Sequence, residues 1–226
     1  MISFENITFS VAGRTLVKNS TVSIPNGHKV GLVGKNGTGK TSLFRLIYGE
    51  ISLDQGNLKL SKNAQIGGVS QEAPGSSVTL LDTVLASDRE RVDLLQKAEE
   101  EKDPLKIAEI QTRLVDIDAW SAEARASTIL NGLGFDTHKQ RLACSEFSGG
   151  WRMRVALAAV LFSKPDLLLL DEPSNYLDLE GTIWLQAYIS KYPSTIILIS
   201  HDRALLNNSV NSILHLEDKE LHLYSG

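Results

Sequence analysis

Apolar and polar positions follow three different rhythms along this chain. Over the first 35 residues they form short half-apolar segments, near Ile2–Phe9 and Ser20–Pro25, and then a continuous apolar run at Lys29–Val33. This pattern predicts two exposed-face strands and one buried strand leading into a glycine-rich turn. From Lys40 the run TSLFRLIYG has helical spacing and ends at Gly49, a suitable helix stop. Asp54-Gln55-Gly56 reads as a hairpin turn, with strands near Leu58–Leu60 and Ala64–Val69, and Ala73–Ser77 as a loop.

Between Leu80 and Leu130 the strand signal vanishes. Leu81, Val84 and Leu85 form a helical stripe that Leu94, Leu95 and Ala98 continue. Asp103-Pro104 interrupts it, which predicts two helical arms of about 15–20 residues, roughly 22–30 Å each. A third helix is expected from Ser121 to Gly132 or Gly134. Past Ser148 helix and strand alternate again: Met153–Phe162 is helical, and Leu167–Leu170 and Thr195–Ile199 are short apolar runs suited to parallel strands covered on both faces. Ile213–Leu216 and Leu221–Tyr224 form a hairpin around Asp218-Lys219. The chain thus reads as α/β, a parallel-sheet core with a β start and an inserted helical unit.

Composition narrows the possibilities. With 42% hydrophobic and 22% charged residues in 226, an ordinary globular core is affordable. The net charge of -4 gives no general attraction to nucleic acid. All of it comes from Leu85–Arg125, which carries 7 basic and 11 acidic residues. The lone Cys144 allows no internal disulfide, no apolar run approaches the roughly 20 residues that span a bilayer, and MISFENITFS lacks the features of a signal peptide. A soluble, cytoplasmic protein without membrane insertion is expected.

Gly34-Lys35-Asn36-Gly37-Thr38-Gly39-Lys40-Thr41 matches G-x-x-x-x-G-K-[ST] between a strand and a helix. Such a loop turns backbone N–H groups inward onto phosphate oxygens, and the helix start adds positive potential. Lys40 supplies a charge for the β and γ phosphates, and Thr41 a hydroxyl for Mg²⁺. Leu167–Leu170 ends in Asp171-Glu172, at the strand end where ligands gather in α/β sheets. Asp171 is expected to complete a Mg²⁺ site with Thr41, and Glu172 to orient or deprotonate an attacking water. Gln71 and His201 also follow strands. Ser148-Gly149-Gly150 opens a helix and is either an anion site or simply a capped start.

In this order, the phosphate loop, Gln71, the Ser148-Gly149-Gly150 helix, Asp171-Glu172, Asp178 and His201 closely resemble an ABC-type ATPase domain. The segments FSGGWRMRVALAAVLFSKPDLLLLDEPSNYLDLEG and HDRALLNNSV, and the 77 positions from Gln71 to Ser148, are most similar to the ABC-F class, whose members lack transmembrane domains and act on ribosomes. The resemblance implies a P-loop core with an N-terminal antiparallel β subdomain, residues 1–226 as one nucleotide-binding domain, and 78–147 as its helical subdomain with an inserted arm. It further implies that Gly34, Asn36, Gly37, Gly39, Lys40, Thr41 and Ser42 cradle ATP. Gln71 would reach Mg²⁺ and the water, and His201 the γ-phosphate. Asp178 would join the nucleotide contacts, and Ser148, Gly149 and Gly150 would meet the phosphate held by a second, head-to-tail domain. With one copy of each motif, the chain is expected to be the first of two such domains and to turn over ATP slowly alone. Many ABC domains stack an aromatic on adenine; this chain has Ser10-Val11-Ala12 there, which leaves Phe9 as the substitute. Trp151 replaces the glutamine usual in transporters. The expected role is a ribosome-bound translation factor. The alternatives are the soluble ATPase subunit of a membrane transporter and a non-hydrolytic ATP sensor.

Overall fold

β1 (Ile2–Val11) and β2 (Arg14–Ile24) pair antiparallel around a tight turn whose Ala12 and Gly13 have φ of 50° and 78°. These elements come from a computed structural model that describes residues 2–69 and 71–225. Strand β2 therefore starts well before the expected Ser20, because the turn residues sit at Ala12-Gly13. Strict alternation would send Ile2 and Phe4 to one face of β1 and Ile7 and Phe9 to the other. The register shifts between Phe4 and Ile7, where Asn6 has φ 50°, and all four side chains are buried on one side.

β3 (Lys29–Val33) leads into α1 (Lys40–Ile47), and β4 (Gln55–Leu60) returns beside β1, giving a three-stranded sheet in the order β2-β1-β4. Gln55-Gly56 is thus strand, not the expected hairpin turn. Gly56, at φ 87°, lies opposite the β1 bulge, where a Cβ would come within 2.4 Å of the Asn6 carbonyl oxygen. Close approach of two backbones, rather than a reversal of the chain, is what requires glycine there. β5 (Ile66–Gly68) belongs to the other sheet. That sheet joins it to β6 (Leu167–Asp171), β7 (Thr195–Ile199), β8 (Ser212–Glu217) and β9 (Glu220–Ser225) in the order β5-β6-β7-β3-β8-β9. All neighbours in it are parallel except β8 and β9, whose turn at Asp218-Lys219 has φ of 48° and 68°.

A single apolar core joins β1 and β2 to β3, β6, β7 and β8. Leu43, Phe44, Leu46 and Ile47 of α1 enter it from their buried face. Every residue of Leu167–Leu170 is buried, as parallel strands covered on both faces require. Two further helices, α7 (Leu179–Ser190) and α8 (Arg203–Ser209), follow β6 and β7.

The described residues form two compact units, one from 2–69 with 164–225 and one from 71–163. The second unit, which contains the expected helical stretch 78–147, includes α2 (Leu80–Leu85), α3 (Arg89–Glu100), α4 (Pro104–Asp116), α5 (Ala122–Gly132) and α6 (Gly149–Ser163). Its core lies among α2, α5 and α6, where Ala122, Ala126 and Ala158 are buried beside Leu80, Leu130 and Leu161. The first expected arm is split. Ser87 donates to the carbonyls of Val84 and Ala159, and Asp88 caps α3 by accepting from the Arg91 N–H, so α2 and α3 are separate helices. The arms α3 and α4 are accordingly 12 and 13 residues long, shorter than expected. Between them Glu101 accepts from the N–H groups of Lys102 and Asp103, which lowers its carboxyl pKa, and Asp103 caps α4 with Pro104 at its first turn.

Candidate active site

The phosphate loop occupies residues 34–39, between the end of β3 and the start of α1. Gly39 precedes the helix at φ 109°, and a Cβ there would press within 3.0 Å of Leu16 Cδ1, so only glycine combines that backbone with that packing. No side chain caps α1, and its first-turn N–H groups are left for a ligand. The Lys40 ammonium folds back over the loop and donates to the carbonyls of Gly34 (2.8 Å) and Lys35 (3.2 Å). Its positive charge is thereby held at the loop's centre.

Two polar pairs converge on the same place from the strand ends. The Thr41 hydroxyl donates to Asp171 Oδ2 at 2.7 Å, joining the first turn of α1 to the end of β6. Glu172 has φ 48°, an uncommon conformation for a residue with a side chain, and its own N–H donates to the Ile199 carbonyl. That turn lets the Glu172 carboxylate accept the His201 backbone N–H at 3.0 Å, with its second oxygen 3.4 Å from His201 Nε2. The Glu172 side chain is 20% exposed and that of His201 67%, so the carboxylate is held and the imidazole is free to meet a ligand.

These groups line one cavity of about 480 Å³. Asn36, Gly37, Gly39, Lys40, Thr41 and Ser42 form its floor, Asp171, Glu172 and His201 its acidic and imidazole side, and Val11, Leu16 and Ile199 an apolar wall. The volume lies in the range of small-molecule sites. Thr41 and Asp171 supply a hydroxyl and a carboxylate oxygen side by side, the hard donors that suit Mg²⁺ when phosphate oxygens and water complete the shell. Among the described residues no cluster of three or more His, Cys, Asp or Glu could hold a metal by itself.

Several expected residues have other surroundings. Phe9 is fully buried in the two-sheet core and has no face to offer a base; the bulge at Asn6 turns it inward. Val11, two residues on and only partly covered, lines the cavity instead, with Leu16 from across the hairpin. The Ala12-Gly13 turn is the sequence signal that would have brought Leu16 beside Val11. Asp178 caps α7, accepting from the Gly181 N–H at 2.9 Å. Gln71, Ser148, Gly149 and Gly150 belong to the unit of residues 71–163, where Gln71, Ser148 and Gly150 are exposed. Trp151, in that unit, packs edge-on against Phe135 and lies under Arg154, whose guanidinium carbon is 4.4 Å from the ring centroid. It anchors the start of α6 through aromatic and cation–π contacts.

Residues 17–175 match the family model described as ABC transporter. The chain belongs to this family. Over its whole length it is 44% identical to the probable ATP-binding protein YheS of Escherichia coli K12, of which it covers 36%. It is 42% identical to ABC transporter F family member 3 of Arabidopsis thaliana, covering 34% of that protein. Against ATP-binding cassette sub-family F member 3 of Homo sapiens the identity is 41%, with 32% covered. The chain spans about a third of the length of these relatives. Its ABC-F character, read from the signature and switch segments, agrees with them. Among solved structures, the ATP-binding subunit of an ABC transporter superposes with a TM-score of 0.73 at 16% identity, covering 100% of this chain and 90% of that one. A dimeric ATP-binding cassette, MJ0796, in a post-hydrolysis state with ADP and Pi, superposes with a TM-score of 0.68 at 19% identity, covering 100% and 98%. These likenesses establish the ABC ATPase fold. Among the described residues no helix is long and apolar enough to cross a membrane.

Proposed function

We propose that this ABC-type domain binds Mg·ATP in the phosphate-loop cavity and hydrolyses it to ADP and phosphate when a second ABC domain closes head to tail, as part of a cytoplasmic factor acting at the ribosome. The observation that carries the reading is the convergence, in one cavity, of Lys40 with the Thr41–Asp171 and Glu172–His201 pairs.

The bare N–H groups at the start of α1 and the Lys40 ammonium would take the β and γ phosphates. Val11 and Leu16 would take the base, in place of an aromatic ring. Thr41 and Asp171 would hold Mg²⁺, with Gln71 as a further ligand, and the bound cation would neutralise developing phosphate charge. Glu172 orients the attacking water and accepts its proton, while His201 hydrogen-bonds the γ-phosphate. Ser148, Gly149 and Gly150, at the start of α6, would meet the nucleotide held by the partner domain, and Asp178 would lie at the same junction. Turnover by this domain alone would therefore be slow. The ribosomal part of the reading rests on the F-type segments and on relatives of the same subfamily.

The test uses the longer natural chain carrying Glu172→Gln and its counterpart in the second domain. With ATP it should co-sediment with ribosomes through a cushion, and Lys40→Ala should abolish this. Failure to pellet, despite ATP-driven closure of the two domains, would overturn the ribosomal role and leave the ATPase.

A further inference from the structure

The residue after Gln71 is tied to the start of α6. Arg152 Nη2 donates to Glu72 Oε1 at 2.9 Å, and Arg152 Nη1 donates to the Phe147 carbonyl at 2.8 Å. The Ala73 N–H donates to the Arg152 carbonyl at 3.2 Å. The second Glu72 oxygen lies over Gly149, where a Cβ would come within 2.5 Å of it. One guanidinium thus clamps the chain on both sides of the Ser148-Gly149-Gly150 turn to the segment that follows Gln71. The arginine side chain is only 22% exposed, so losing its carboxylate strands a largely buried charge instead of returning it to water.

We infer that Arg152 is a positioning residue. Through Glu72 it sets Gln71 and the Ser148-Gly149-Gly150 turn as one piece, so that the group serving the domain's own nucleotide and the group serving its partner's are placed together. This rests on the functional reading of Gln71 and of that turn given above. It adds a mechanical link between them that neither motif contains. Glu72 also bears on the middle of the turn: a side chain at position 149 would have to push aside the carboxylate that Arg152 holds.

The experiment has two arms on the full-length chain. Amide hydrogen exchange, which needs no turnover, should show faster exchange at Ala73 and at residues 148–150 together in Arg152→Ala and in Glu72→Gln, with the exchange of β6 and β7 unchanged. In steady-state ATP hydrolysis, each substitution should lower kcat about tenfold with KM within about twofold, because ground-state binding is left to the Lys40 cradle. The double variant should lose no more than the worse single one, and Arg152→Lys, which keeps the charge but not the two-armed clamp, should recover only part of the rate. Additive losses, a change in KM alone, or faster exchange at one segment without the other would overturn the strut. If the wild-type chain hydrolyses no ATP, the functional reading fails, and the exchange arm alone decides the link.

Discussion

Every residue of β7 is buried, whereas α3 buries none of its twelve and α4 only Leu114. The central parallel strands of the first unit, β3, β6 and β7, are covered on both faces, and their ends are held in place by a core shared between two sheets. The α3–α4 pair is held by surface charge, such as Arg113 Nε to Glu90 Oε1 at 2.6 Å, and it displays apolar side chains, with Leu105 76% exposed. Surface ion pairs contribute little, so the pair has few reasons to stay closed. The difference teaches where rigidity is invested: at the strand ends that line the phosphate-loop cavity, and not along the arm.

Substitutions can break or sharpen this contrast. Phe4→Ala removes a fully buried ring from the two-sheet core and should cost about 3–5 kcal/mol in denaturant unfolding. A loss under about 1 kcal/mol would mean the core is looser than described. Glu172→Gln, one bond from the same core, should leave ATP binding intact while lowering turnover on the order of 100-fold, the contribution of a positioned base. Equal losses of binding and turnover would instead give the carboxylate a role in assembling the cavity. Leu105→Ala on the arm should change stability by less than about 0.5 kcal/mol, and amides of α3 and α4 should exchange before those of β6 and β7. Coincident exchange would dissolve the distinction between the units. The smallest effect is at high pH. Burial, helped by the Glu50 charge, pushes the Tyr48 phenol from 10.0 up to about 12. Folding favours its neutral form, so its share of stability is complete below pH 10 and fades as pH rises through 12. Absorbance titration of Tyr48→Phe against wild type should show one late-ionising tyrosine lost.

Much of the first unit could be read in advance because its chemistry is local. The phosphate loop needs a strand, glycines and a helix within about a dozen residues, and Leu167–Leu170 with Asp171-Glu172 is contiguous. The β8–β9 hairpin carries its own turn at Asp218-Lys219. Phe9 lies inside, not on the cavity, because the parity of β1 changes at Asn6, and no alternation rule sees a bulge. Gly56 reads as a turn in sequence because its real constraint, the carbonyl of Asn6, lies 50 positions away. Helix α7 shows no clean stripe, since Leu179 and Ile183 are apolar on its exposed side. Glu72 and Arg152, 80 positions apart, had no sequence signature linking them.

The strand order has a consequence for synthesis. β3 sits between β7 and β8, so Val30 must find Ile197 on one side and Ser212 on the other. A ribosome adding about 5–20 residues per second leaves β3 without either neighbour for roughly 8–33 s. The β1–β2 hairpin precedes that interval and the whole contiguous stretch 71–163 emerges within it, so both can fold first. The phosphate-loop cavity, whose lining runs from Val11 to His201, is among the last features of the nascent chain to exist.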